Sequence, residues 1–344
     1  MIPRISLRGD YTISRIIKGG WHLAGDHGTV DSAQAQRDMA TFVDAGITTF
    51  DCADIYTGVE QMIGAFRHAY PAHAERVQIH TKFVPDLSEL RSIGRAQIEA
   101  IIDRSLARLR VERLDLVQFH WWDFAVPRYV ETAMELERLR RAGKIAHLGS
   151  TNFDTPRLKE LIDAGIPIIS NQVQYSLIDD RPDRGMLAYC ASAHISLLCY
   201  GTVCGGFLSE RWLGKPSPGA DLSNRSLAKY RLIIEDFGGW PLFQELLAVL
   251  GRIAAAHGTD IATVATRAML DRDQVAAACV GAVNTSHLAA HARIGTLQLR
   301  PEERSMIAEV TARRQGPAGD VYELERDRQG AHGRIMKYEL NALS

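Results

Sequence analysis

Four side chains could carry chemistry if the fold brings them together: Asp51, Tyr56, Lys82 and His120. Asp51 and Tyr56 stand five residues apart in Thr48-Thr49-Phe50-Asp51-Cys52-Ala53-Asp54-Ile55-Tyr56, where an apolar run breaks into a loop. A free phenol ionises near pH ~10 and gives up its proton poorly at neutrality, but a cation beside it, itself held by a carboxylate, lowers its pKa. Lys82, at the end of the next apolar run, would supply that cation, and Asp51 would keep it charged and aimed. Tyr56 would then donate a proton to an oxygen that gains negative charge, as a carbonyl does on reduction. His120 would donate or share a hydrogen bond at that oxygen and orient the carbonyl. Taken singly, each has an ordinary reading: a turn carboxylate, a helix-flanking aromatic, a strand-end charge, a hydrogen-bonded histidine. Their joint placement points to a site, while Asp54 reads as a residue that structures the loop.

The elements that would position them are visible as apolar runs alternating with helical patterns. Eight runs read as strands: 15–19, 48–51, 77–82, 114–120, 145–150, 168–172, 195–200 and 276–281. Helical spacing is clearest over 96–110, where Ile98, Ile101, Ile102, Leu106 and Leu109 share a face. Asp31 with Ser32, and Asp154 followed by Thr155-Pro156, read as helix starts. Eight βα units without a break in composition predict one closed (β/α)8 barrel of the TIM type over 1–314, ahead of an open doubly wound sheet. In such a barrel the reactive groups stand at the C-terminal ends of the strands, where Asp51, Lys82, His120, Ser150 to Asn152, Gln172, Tyr200 and Gly281 all fall. Two stretches break the rhythm. The segment 200–241, with Gly205-Gly206, Gly214-Lys215-Pro216 and Gly238-Gly239, is too long for an ordinary connection and is expected to form a lid. The charged, glycine-broken tail 315–344 is expected to wrap over the barrel.

Composition narrows the classes. The 344 residues carry 40 basic and 41 acidic side chains and are 46% apolar, a balance that leaves no electrostatic footprint for nucleic acid. No window approaches a membrane span, and residues 1–10 lack the apolar core of a leader, so neither membrane insertion nor secretion is expected. Five cysteines, Cys52, Cys190, Cys199, Cys204 and Cys279, never in CxxC spacing, read as reduced thiols of a cytoplasmic protein. Motifs for a serine hydrolase elbow, a zincin, a phosphate-binding P-loop or a thioredoxin-like centre are all missing, and no metal is expected. A phosphate-binding barrel lyase stays open in principle.

The strings TTFDCADIY, IHTKF, DLVQFH, GSTNF, SNQVQYS and CYGTVCGGFLS resemble the signatures of the aldo-keto reductases, in barrel order over roughly 16–294. The resemblance implies that Asp51, Tyr56, Lys82 and His120 form a catalytic tetrad and that a nicotinamide dinucleotide is bound. No two glycines are separated by a single residue, so the G-x-G-x-x-G loop of a Rossmann reductase cannot occur, and this family does without it. By the same resemblance Thr151, Asn152 and Gln172 would bond the carboxamide, Tyr200 would stack on the nicotinamide, and Trp21 and Asp51 would border the cofactor. Gly201, Thr202, Val203, Gly205 and Leu208, with Arg211, would line the pyrophosphate. The adenosine end would be Gly281, Ala282, Val283, His287 and His291. There the chain departs from the family, with histidines where Arg or Gln and then Asn are common and no lysine for a 2′-phosphate. Arg211 and Arg293 could compensate. His287 and His291 equally fit an exposed i,i+4 helix face.

The expected activity is reduction of an aldehyde or ketone with NADP(H), modestly preferred over NAD(H). The alternative is a regulatory subunit that keeps the cofactor and turns over little. Trp21, Tyr56, His120 and Trp121 would meet the substrate, suggesting a bulky or planar carbonyl compound. Only one of Trp121 and Trp122 is expected to do so, because neighbours diverge, and Tyr322 on the tail would close the pocket. A small-molecule substrate is the one partner expected, with neither nucleic acid nor membrane, and the chain would be a monomer or weak homo-oligomer.

Overall fold

The computed structural model describes residues 2–24, 31–219, 222 and 225–341. Two short antiparallel strands, β1 (Arg4–Arg8) and β2 (Tyr11–Ser14), precede the barrel strands β3 (Ile16–Gly19), β4 (Thr49–Asp51), β5 (Gln78–Phe83), β6 (Leu114–Phe119), β7 (Ile145–Thr151), β8 (Ile168–Gln174), β9 (Ser196–Tyr200) and β10 (Val275–Gly281). The last eight pair in parallel in chain order, and β10 closes on β3 with Gly281 opposite Gly19. All eight anticipated strands are present within two residues at each end, and the sheet is the closed barrel rather than the open alternative.

The anticipated helix starts are built as expected. Asp31 accepts from the backbone N–H of Ala33 and Gln34, and Asp154 accepts from that of Arg157, with Pro156 in the first turn. Each satisfies amides that a first helical turn leaves without partners. The helix Arg95–Leu109 buries Ile98, Ile101, Ile102 and Leu109 against the barrel.

The β1–β2 hairpin was not anticipated. Its Leu7 and Ile13 pack on an interior layer made by Ile17, Leu116, Ile169, Leu198, Ala276 and Ala277, so it plugs the N-terminal mouth of the barrel. The signal lay in the alternation of Ile5, Leu7, Tyr11 and Ile13 about Gly9-Asp10.

The 200–241 segment is not a structureless lid. After short turns at Cys204–Gly206 and Glu210–Trp212 comes a helix, Arg225–Phe237, that buries Leu227, Tyr230, Ile233, Ile234 and Phe237. That period of three to four residues is a helical one, masked in the sequence by the glycines on either side. Positions 220, 221, 223 and 224 of this segment lie outside the described residues.

The tail, described as far as Asn341, lies across the C-terminal face, and residues 342–344 lie outside the described residues. Arg326 donates to the backbone oxygens of Trp121 (3.1 Å) and Asn152 (2.7 Å), joining the ends of β6 and β7. Arg181, almost wholly buried, is bonded at once to Asp179 and to Glu325 of the tail. Asp86 accepts from the backbone N–H of Leu340 and Asn341.

Candidate active site

At the C-terminal ends of the strands opens a cavity of about 310 Å³, and Asp51, Tyr56, Lys82 and His120 all line it. Barrel register does the first part of the work. Asp51 ends β4 opposite His80 of β5, so Lys82, two residues further on, rises above it on the same side of the pleat. Its ammonium donates to Asp51 Oδ2 at 2.6 Å and to the backbone oxygen of Cys52 at 2.9 Å. The other carboxylate oxygen accepts from the side-chain amides of Gln118 (2.9 Å) and Gln172 (2.7 Å). Gln118, opposite Lys82 in β6, is a member of the site that the sequence did not single out.

The Lys82 ammonium stands 4.8 Å from the Tyr56 ring centroid. Burial pulls its pKa down, but the Asp51 carboxylate outweighs that and holds it above the ordinary lysine value. Lys82 is therefore charged at neutrality. Tyr56 departs from expectation: burial raises its pKa, the Lys82 charge opposes this only in part, and the phenol is pushed up to about 12. The cation limits the cost of ionising Tyr56 without bringing it below that of a free phenol.

His120 is neutral for a related reason. Burial, with the positive charge of Arg326, pushes its pKa down to about 3. Nδ1 lies 3.2 Å from the backbone oxygen of Thr151, an atom that can only accept, so Nδ1 carries the ring hydrogen. Nε2 is thereby a lone pair, buried and without a partner among the described residues. Of the two anticipated roles, donating or sharing a hydrogen bond, this tautomer leaves the free nitrogen as an acceptor, and donation to a substrate oxygen would need the hydrogen on Nε2.

Around these groups the walls are aromatic. Trp21 meets Tyr56 edge-on at 5.1 Å, and the His120 ring is crossed at right angles by Trp122 at 4.3 Å and by Tyr322 at 5.6 Å. Of the tandem tryptophans it is Trp122, not Trp121, that lines the cavity. Trp121 is fully buried against Phe119, with Nε1 donating to the backbone oxygens of Asp123 and Val126. Successive side chains point opposite ways, and spacing alone cannot say which way the pair is phased. The tail adds Ile335, Met336 and Leu340 to the wall. Their polar, glycine-rich sequence context gave no sign of it.

The residues anticipated for the nicotinamide end come together with most of those anticipated for the pyrophosphate and with Gly281 of the adenosine end. Trp21, Thr151, Asn152, Gln172, Tyr200, Gly201, Thr202, Val203, Gly205 and Gly281 line the same cavity. Asn152, in the left-handed region at φ 60°, turns its Oδ1 to accept from the Tyr200 hydroxyl at 2.8 Å, which fixes that ring. Thr151 Oγ1 donates to the backbone oxygen of Gln172. Two of the residues anticipated for the pyrophosphate, and all those anticipated for the adenosine end except Gly281, do not join them. Leu208 is core, Arg211 is exposed and lies against Trp212, and Ala282, Val283, His287 and His291 stand outside the cavity. His287 precedes the helix Leu288–Thr296, whereas His291 is buried against Phe42 with its pKa pushed down to about 4 by burial and by His287. The pair is thus not an exposed helix face. All five cysteines are unbridged, and four of them are buried.

A nicotinamide group fits these residues on one structural ground. The cavity runs without a break from Tyr56 past Tyr200 to Gly205, and the buried Nε2 of His120 and Nε1 of Trp122 are left without partners beside it.

Comparison with known proteins agrees with this geometry. The sequence model of the Aldo/keto reductase family matches residues 15–312. The chain is 28% identical over 305 residues to Aldo-keto reductase YhdN of Bacillus subtilis (strain 168), covering 86% of this chain and 88% of that one. It is 32% identical over 259 residues to Flagellar radial spoke protein 5 of Chlamydomonas reinhardtii, covering 64% of this chain and 49% of that protein, about half its length. Among solved structures it resembles the glycerol dehydrogenase AKR11B4 from Gluconobacter oxydans, with a TM-score of 0.75 at 25% identity, over 93% of this chain and 97% of the other. A closed eight-stranded barrel with a lysine–carboxylate pair beneath a tyrosine, and a family match spanning nearly the whole barrel, lead to one conclusion: this chain belongs to the aldo/keto reductase family.

Proposed function

We propose that the protein reduces an aldehyde or ketone to its alcohol, and runs the reverse oxidation when the cofactor ratio favours it. The observation that carries this reading is the Asp51–Lys82 pair, buried beside Tyr56 at the mouth of the barrel. A nicotinamide dinucleotide, when bound, supplies or accepts the hydride. The residues that would hold its nicotinamide end are Thr151, Asn152, Gln172 and Tyr200.

Tyr56 delivers the proton to the substrate oxygen. Its pKa of about 12 keeps it protonated throughout the neutral range, and the Lys82 charge stabilises the phenolate left behind. Asp51, tied by two glutamine amides, acts as the fixed counter-charge rather than as acid or base. His120 faces the substrate oxygen with Nε2, which in this tautomer can accept from the hydroxyl of the alcohol form. Trp21, Trp122 and Tyr322 exclude water and favour a bulky or planar carbonyl compound.

NADPH is used with modest preference over NADH. In support, the exposed Val283 and His287 offer no strong cation to a 2′-phosphate. The protein acts on a small-molecule partner as a monomer or weak homo-oligomer, with 1–314 as the barrel and 315–344 as its covering tail. Unbridged, mostly buried thiols support a cytoplasmic setting.

The test is a steady-state panel of aldehydes and ketones run with NADPH and NADH in parallel. Turnover of aromatic or other bulky carbonyl compounds is expected. Cofactor binding with negligible turnover across the panel would instead make the protein a cofactor-holding regulatory subunit.

A further inference from the structure

The buried ion cluster beneath the tail contains one cation whose hydrogen-bonding capacity is not used. Asp179 and Glu325 are both fully buried, and Arg181 donates to both carboxylates at 2.7–3.1 Å. Lys229, in the second turn of the helix Arg225–Phe237, balances the remaining charge from 3.8 Å, beyond hydrogen-bond range. Among the described residues its ammonium has no hydrogen-bond acceptor. It lies instead against three rings, 5.1 Å from the centroid of Tyr200, 5.4 Å from Tyr322 and 5.8 Å from Tyr230, and it lines the cavity. Lys229 is half-buried rather than sealed in, so a hydrogen-bond acceptor that enters the cavity can reach its ammonium.

Which acceptor reaches it follows from what surrounds it. Tyr200 ends β9, and Gly201 to Gly205 follow immediately. The helix carrying Lys229 lies on that loop: a Cβ on Gly201 would come within 2.3 Å of the Tyr230 hydroxyl oxygen, and one on Gly205 within 2.8 Å of the Tyr230 ring. Glycine at these two positions, both at positive φ, serves this close packing of Tyr230. Cations line this stretch of the cavity, whereas the one carboxylate in its wall, Asp51, is already paired with Lys82 deep in the barrel. Arg211, which the sequence had offered as the phosphate-binding cation, stands outside against Trp212.

We propose that Lys229 is the cation that holds the pyrophosphate of the nicotinamide dinucleotide, taking the place expected of Arg211, with the buried Asp179–Arg181–Glu325 cluster fixing where it points. This rests on the cofactor reading given above. A dinucleotide whose nicotinamide lay at Tyr200 could pass its pyrophosphate along Gly201 to Gly205, which line the same cavity as Lys229. The pyrophosphate is common to NADPH and NADH, so Lys229 contributes affinity for both and no discrimination between them.

The experiment titrates NADPH, NADP+ and NADH into the full chain, following quenching of tryptophan fluorescence, for the unaltered protein, Lys229→Met and Lys229→Arg. Thermal melting checks that each variant is folded, with Lys229→Gln replacing Lys229→Met should the latter not fold. Lys229→Met is expected to weaken all three dinucleotides by about 10–100-fold, the size of a lost charge-assisted hydrogen bond, with their ratio unchanged. It should also flatten the salt dependence of binding, and arginine should restore most of the affinity. Unchanged affinity in a folded Lys229→Met protein overturns the proposal. So does a loss confined to the two 2′-phosphorylated forms. So too does a raised KM for carboxylated carbonyl substrates at unchanged dinucleotide affinity, which would assign Lys229 to the substrate. If the unaltered protein binds no dinucleotide, the cofactor reading itself fails, an outcome separate from all of these.

Discussion

Asn341 donates from its side-chain amide to Asp54 Oδ2 at 2.9 Å, joining the tail to the loop that presents Tyr56. The same carboxylate oxygen accepts from the backbone N–H of Val84, while Arg108 holds the backbone oxygen of Asp54. Asp54 thus links the catalytic loop, the end of β5 and the strap that closes the cavity. Burial, with the nearby Glu60 charge, pushes its pKa up to about 7, against the pull of Asn341, Val84 and Arg104.

That elevation makes a signed prediction. A carboxyl at about 7 when folded and near ~4 when unfolded takes up a proton on folding between those values. Its contribution is most favourable below pH ~4 and is lost as pH rises through about 7. Asp54→Asn, which cannot ionise, should remove a decline on the order of 2–4 kcal/mol from the stability difference between pH 5 and pH 8. Urea unfolding at the two pH values measures it, and identical slopes for the two proteins would clear Asp54 of the role.

The catalytic pair behaves differently with pH. With Tyr56 at about 12 and His120 at about 3, neither group titrates between pH 5 and 9. The rate of the chemical step, followed in single-turnover reduction, should be level over that range apart from a feature near 7 that Asp54→Asn abolishes. An inflection near 6.5 that survives in Asp54→Asn and vanishes in His120→Asn would mean that His120 is not held neutral.

Replacing Tyr56 by Phe removes the proton donor and leaves the nicotinamide-side residues in place. We expect kcat to fall by about 10²–10⁴-fold while dinucleotide affinity is retained. Retained turnover would take Tyr56 out of its role.

Lys82→Met acts on both function and fold. It strips Asp51 of its cation inside the barrel, and an uncompensated buried charge costs about 3–5 kcal/mol. The double variant with Asp51→Asn should recover much of that stability and none of the activity, as denaturant unfolding and turnover measured side by side would report.

The two tryptophans after β6 should separate cleanly. Trp121→Ala empties a fully buried site and should cost about 3–5 kcal/mol without altering the choice of substrate. Trp122→Ala, also at a buried site, should cost stability as well but in addition raise KM for bulky carbonyl compounds far more than for small ones. Matching effects of the two variants on KM would contradict the assignment of Trp122 to the pocket.

Much of this protein was legible in its sequence because a barrel strand is a local object. Eight apolar runs, each ending in a polar or special residue, carry the order of the barrel, and parallel pairing then brings Asp51, Lys82 and His120 to one face whatever the loops do. The helix caps at Asp31 and Asp154 were legible for the same reason, since their bonds reach only three residues along the chain. What depended on long-range packing was not. Whether Trp121 or Trp122 faces inward is set by Phe119 and by the tail. The ionisation of Tyr56 and His120 is set by burial, to which residue type is blind. Lys229 rather than Arg211 lines the cavity with the glycine loop because a helix, held by tail residues nearly a hundred positions away, lies on that loop. Sequence alone determined which groups reach the mouth of the barrel. Only the tertiary structure decided which of them are dry, which are charged and which are left without a partner, because desolvation depends on every neighbour at once.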